Sequence, residues 1–204
     1  MNKRILLSAA AVIAFATPAV LAQSTTTSTT PSTTNPPTIA DRKTDQQDRI
    51  ANGIQDGQLT PGETKNLENK EAGINKEEST MRADDNGHLT AADRAKINNQ
   101  QNHVSNRIYD DKHNAATDHF GNSEVGTRQK LQQDRIANGV RSGQLTAGET
   151  SKLENQQQGI NREVKGMRQA NGGKLSRGDK AVVNHQQNGA SGNIYNKKHN
   201  GKVR

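Results

Sequence analysis

The residues of this chain whose types could do chemistry are few and unevenly placed. The run "YDDKHNAATDHF", residues 109–120, gathers Asp110, Asp111, His113, Asp118 and His119. Carboxylate and imidazole donors at that density could hold a transition metal. A matching run near the other end, "YNKKHNGK", keeps the His but lacks the carboxylates. The pair reads more simply as two helix ends, where His and Lys meet the negative pole of the helix dipole. His88, His103 and His185 stand alone and are expected to face solvent. The chain has no Cys, which excludes thiol nucleophiles and thiolate metal sites. No nucleophile–base motif, no acid pair enforced by spacing and no phosphate loop occurs; the glycines mark helix ends and do not follow a strand. The expectation is a protein that is not an enzyme.

The elements that must position these groups follow from repetition. Sliding the chain by 86 residues aligns residues 46–114 with 132–200 without a gap, at roughly half identity. "QQDRIANG" faces itself, "GINKE" faces "GINRE", and "SNRIYDDKHN" faces "SGNIYNKKHN". A weaker period of 30 divides each copy, so that Gly57, Gly87, Gly143 and Gly173 open four turns of one kind. Between turns, Leu67, Ile74 and Met81 sit seven apart, as do Leu153, Ile160 and Met167. Ile97, Val104 and Ile108 correspond to Val183, Ala190 and Ile194. Apolar residues at this spacing predict helices. Each copy reads as a short helix, carrying Ile50 and Ile54 or Leu131, Ile136 and Val140, followed by two long helices. In the first copy these run from about residue 60 to 83 and from about 90 to 113. The fold class is all-α: two tandem three-helix repeats.

The apolar seams are narrow, because expected inward positions include Lys70, Glu71, Gln101 and Gln187. A core this thin leaves one repeat marginal against the entropy of ordering it. Packing of repeat on repeat, self-association or a ligand is therefore expected.

Residues 1–22, with Lys3 and Arg4 ahead of an apolar run and small residues near Ala22, form a secretory signal peptide. Residues 23–40 are a Ser/Thr/Pro spacer that cannot bury a core; glycosylation of it is open. Residues 41–116 form the first repeat, 117–127 a linker, 128–200 the second repeat and 201–204 a basic tail. The expectation is a periplasmic or secreted protein with no membrane span once the signal is removed.

Charge separates the copies. Residues 41–118 hold 11 Lys/Arg against 15 Asp/Glu, a net of −4, and residues 128–204 hold 15 against 5, a net of +10. Two expectations follow: the repeats attract each other, within one chain or head to tail between chains, or the second repeat binds an anionic envelope polymer, lipopolysaccharide or nucleic acid. With so few aromatics, sequence-specific nucleic acid is not expected, and any binding to nucleic acid would run through phosphates.

The turns carry one resemblance. Each has Gly, then a buried-type Leu two residues on, then Thr or Ser, then an acid: Gly57-Leu59-Thr60-Glu63, Gly87-Leu89-Thr90-Asp93, Gly143-Leu145-Thr146-Glu149 and Gly173-Leu175-Ser176-Asp179. This resembles the second half of an EF-hand calcium loop, and two helix-loop-helix units per repeat are similar to an EF-hand pair. The first half is largely missing. Its opening position holds Asn52, Arg82, Asn138 and Arg168, its third Ile54, Asp84, Val140 and Ala170. Only "RADDNGHLTAAD", residues 82–93, supplies oxygens in the pattern, and the resemblance implies a weak calcium site at Asp84, Asn86, Thr90 and Asp93. The other reading needs no cofactor: Gly stops one helix, Leu packs beside the cap, Thr or Ser caps the next helix, and the acid completes a capping box. It accounts for all four turns. The functional expectation is a non-enzymatic exported repeat protein, an interaction or structural module of the cell envelope, with a weak EF-hand-like calcium binder as the alternative.

Overall fold

A computed structural model of the chain describes residues 36–203. The expected signal segment and the spacer up to residue 35 lie outside the described residues. Six α-helices follow in order: α1 (Ile39–Gln55), α2 (Pro61–Asp84), α3 (Ala91–Lys112), α4 (Glu124–Arg141), α5 (Ala147–Ala170) and α6 (Arg177–Lys198). The all-α reading and its two three-helix copies hold. The first helix of each copy is longer than expected, because Thr38 and Asp41 form a capping box that starts α1 at Ile39. Ser123, accepting from the Gly126 N–H, starts α4 at Glu124. Residues read as spacer and linker are thus the first turns of helices.

All four repeated turns are built as the capping reading requires. Gly57, Gly87, Gly143 and Gly173 have φ of 69°, 89°, 72° and 88°, the left-handed region in which a Cβ is strained. The next helices open on Thr60 with Glu63, Thr90 with Asp93, Thr146 with Glu149 and Ser176 with Asp179. In each, the hydroxyl accepts from the N–H three residues on, and the acid accepts from the cap N–H. Leu59 and Leu145 are buried beside Gly53 and Gly139, whose missing Cβ atoms make room for them.

Within a copy the third helix packs on the other two: α3 on α1 and α2, and α6 on α4 and α5. Between copies, matched helices meet, α1 on α4 and α2 on α5. Each duplicated surface therefore covers its own counterpart, as in a two-fold dimer fused into one chain. This supplies the packing that one repeat lacks. Ile50, Ile54, Leu59 and Leu67 share a single buried cluster with Ile136, Val140, Leu145 and Leu153, and a second cluster of Val125, Ile160, Val164, Val183 and Ala190 lies in the second copy.

The inward polar positions are hydrogen-bonded to helix backbone. Gln46 donates to the Gln101 carbonyl at 2.6 Å and Gln101 to the Ile39 carbonyl at 3.0 Å; Gln132, Gln187 and Val125 repeat the arrangement at 2.6 and 2.9 Å. These glutamines staple α1 to α3 and α4 to α6 where apolar side chains are scarce. Two expectations are corrected. Lys70 is exposed, at the open edge of a cleft between α2 and α3 that it lines with Gln100, His103 and Arg107. Leu131 is 57% exposed on α4, whose buried face is taken by Gln129, Gln132, Gln133 and Ile136. No helix among the described residues is long and apolar enough to cross a membrane.

Candidate functional site

The α2–α3 turn carries the proposed oxygen ligands. Asp84 ends α2, Asn86 has φ of 52°, and Thr90 and Asp93 open α3. Thr90 and Asp93 are engaged with each other: Asp93 Oδ2 accepts from the Thr90 hydroxyl at 2.6 Å and from its N–H at 3.0 Å. Those bonds from Thr90 hold the Asp93 carboxyl below its ordinary range. Arg82 donates to the Gly87 carbonyl at 3.2 Å, which sets a guanidinium against this turn.

The run at residues 109–120 is dispersed by the fold. Asp111 is buried and pairs with Arg107 at 2.9 Å, whereas His113 stacks on Tyr109 and bonds the Tyr109 carbonyl. His119 meets the Thr117 hydroxyl, and Asp118 leaves the helix end altogether to reach Asn161. Tyr195 and His199 repeat the stacked pair in the second copy. Among the described residues, no group of three or more His, Asp or Glu is gathered as metal ligands would be.

The two copies differ most at the end where α2 meets α3 and α5 meets α6. In the first, Glu78 is buried between two cations, with Lys43 and Arg82 each at 2.8 Å. Burial opposes ionisation of Glu78, but hydrogen bonds from Lys43 and Arg82 outweigh it and hold the carboxyl below its usual range. In the second copy, 86 residues on, Gln129 stands for Lys43 and Val164 for Glu78, while Arg168 is kept. Arg168 makes no ion pair among the described residues, and its backbone carbonyl accepts from the Gly173 N–H at 2.7 Å and the Asn171 N–H at 3.2 Å. The turn acids go too: Asp84 and Asp85 become Ala170 and Asn171, and the polar Asn86 becomes Gly172.

Loss of these acids leaves a cationic end on the second copy. Arg168, Lys174 and Lys180 line an open cleft of about 390 Å³ with Leu175, Val125 and a single acid, Glu124. Arg168 and Lys165 continue into a neighbouring cleft of about 540 Å³ that also contains Phe120 and Asn161. Lys165, Lys174 and Lys180 are exposed, and none is in an ion pair among the described residues. Amines and a guanidinium around shallow clefts can hold phosphate, sulfate or carboxylate groups. The cluster was within reach of the sequence, because the exchange of Glu78 for Val164 is visible once the copies are aligned. What the alignment lacks is the knowledge that Glu78 neutralises Arg82.

The opposite charges of the two copies do not meet as ion pairs. Every ion pair among the described residues lies within one copy. Polar contacts between copies set a cation or a hydroxyl against a neutral side chain, such as Arg141 to Asn52 and Gln55 at 2.8 Å each, Lys65 to Gln158 at 3.1 Å and Ser151 to Asn69 at 2.6 Å. In comparisons with known proteins, no family model, curated protein or solved structure matches the chain.

Proposed function

We propose that this chain is a non-enzymatic, exported interaction module of the cell envelope that holds anionic polymers on its second repeat. The observation that carries the reading is Arg168, which keeps the place of Arg82 but has lost the carboxylate that neutralises it. Around it stand Lys165, Lys174 and Lys180, on a copy whose net charge is +10. A flexible polymer bearing phosphate, sulfate or carboxylate groups meets several of these cations at once, and each contact releases counterions. The first repeat, fused through α1 and α2, supplies the packing that keeps the basic repeat folded.

The test is retention of the full chain on immobilised heparin in a salt gradient. The parent should elute at markedly higher salt than the triple variant R168A/K174A/K180A. Equal elution of the two would place binding elsewhere, and absence of salt-dependent retention would remove the reading.

A further inference from the structure

The seam between the second and third helices is bridged twice in one copy and once in the other. On α5 and α6, Gln186 donates to Glu163 at 2.6 Å and, two turns along, Asn193 donates to Gln156 at 3.0 Å. On α2 and α3 the first bridge is kept, with Gln100 donating to Glu77 at 2.6 Å. The second is lost, because Lys70 and Arg107 stand 86 residues before Gln156 and Asn193. Both are donors only, so they cannot bond each other, and two cations in the places of a hydrogen-bonded pair repel.

The seam is open where that bridge is lost. Lys70 and Arg107 line a cleft of about 520 Å³ whose floor is Ile74 and Val104. Gly73 lies between these groups and adds no side chain; a Cβ built on it would meet nothing within 4 Å. Exposed His103 stands on the rim, where the second copy has Gly189, and offers a flat ring face to anything seated there.

The charges around the cleft do not cancel. Glu77 is paired with Lys96 and also accepts from Gln100. Arg107 bonds Asp111 through Nε at 2.9 Å, which leaves its two terminal nitrogens without a hydrogen bond among the described residues. Lys70 makes no hydrogen bond or ion pair among the described residues. One positive charge is therefore in surplus, beside the free edge of a guanidinium and above an apolar floor.

We infer that this cleft binds a small apolar monocarboxylate, held by its carboxylate between Lys70 and the terminal nitrogens of Arg107, with its apolar body over Gly73, Ile74 and Val104. The bound carboxylate supplies the acceptor that Gln156 supplies in the second copy, and so restores the missing bridge between the helices. A planar carboxylate fits the edge of a guanidinium, and Lys70 adds a second charge-assisted bond. A surplus of one charge, with Glu77 in the same wall, favours a monoanion over a phosphate dianion. The site shares no residue with the cationic end of the second repeat, and it lies on the copy whose net charge of −4 repels a polyanion.

The test titrates the full chain with sodium benzoate at constant ionic strength and follows the backbone amide signals. Saturable shifts are expected at Gly73, Ile74 and Val104, with a dissociation constant on the order of millimolar, as suits a ligand of this size in an open cleft. Benzamide has the same shape without the charge and should bind weaker by on the order of tenfold, as should benzoate to Lys70→Gln, a change at an exposed position. Lys70→Gln combined with Arg107→Asn installs the bridge of the second copy and should abolish binding. Shifts that map elsewhere, equal affinity for benzamide, binding indifferent to Lys70→Gln, or no saturable shift up to about 50 mM benzoate would overturn the inference.

Discussion

Gln133 donates to Glu154 Oε2 at 2.9 Å in the seam between α4 and α5, where the Glu154 carboxyl is fully buried. Gln47 and Glu68 repeat the pair at 3.1 Å between α1 and α2. One neutral amide does not replace the hydration of a carboxylate. Burial therefore pushes Glu154 up to about 8, with the Gln133 bond opposing and the nearby Asp118 reinforcing the shift. Asp118 is itself pushed up to about 6 by burial.

The sign of the pH dependence follows. Above pH 4.5 the unfolded chain releases the Glu154 proton while the folded chain keeps it, so the unfolded state binds fewer protons and stability falls as pH rises. The decline should run from about pH 4.5 to about pH 8 and then level off. Glu154→Gln should flatten it and stabilise the protein near pH 8, by an amount on the order of a few kcal/mol. Urea unfolding across this range reads the slope; an unchanged slope in the variant would show that another group is responsible.

The turns act as helix stops and starts, with measurable consequences. Thr60→Ala and Thr146→Ala should each lose about 1 kcal/mol of stability, the usual cost of an N-cap. Gly87→Ala, strained by its φ alone, should cost about 1 kcal/mol. Gly57→Ala should cost more, since its Cβ would also lie 2.9 Å from the Asp118 carbonyl oxygen. Thermal unfolding ranks the four, and equal losses at Gly57 and Gly87 would contradict the linker contact.

Calcium should do little at residues 82–93. Thr90 and Asp93 are bonded to each other, and Arg82 lies against the turn. Calcium added to millimolar concentration should leave the melting temperature of the parent and of Asp84→Ala unchanged. A calcium-dependent rise in the parent that Asp84→Ala abolishes would restore the EF-hand-like reading.

The exchange of Glu78 for Val164 can be run backwards. Glu78→Val should release Lys43 and Arg82 and tighten binding of heparin at low salt. The double variant Gln129→Lys with Val164→Glu should rebuild the clamp around Arg168 and weaken it. Both effects should be severalfold, because each variant changes the free cations by only one or two. Binding measured by fluorescence anisotropy would contradict the account if both variants moved in the same direction.

The legible parts of this fold were the local ones. Gly57-Leu59-Thr60-Glu63 and its three counterparts specify a helix stop and start within a few residues, and Leu67, Ile74, Ile97 and Ile108 mark one buried stripe. Gln101 and Gln187 read as inward from their place in the apolar seam, whereas Gln46 and Gln132 were harder, because a Gln on a helix reads as surface unless the carbonyl it bonds, 55 residues away, is known. Leu131 failed for the opposite reason, since hydrophobicity does not say which side of α4 will be covered. For the site, the net charge of the second repeat was visible in the residues, whereas the freed Arg168 depends on a clamp that only the packing of α1 against α2 reveals.

The most direct test of the central claim is the salt dependence of heparin binding by the parent and by R168A/K174A/K180A, plotted as the logarithm of affinity against the logarithm of salt. The account predicts a steep line for the parent and a slope shallower by roughly 2 to 3 in the variant, with about one unit lost per cation that meets an anionic group. Identical slopes, with both proteins still folded by circular dichroism, would contradict it.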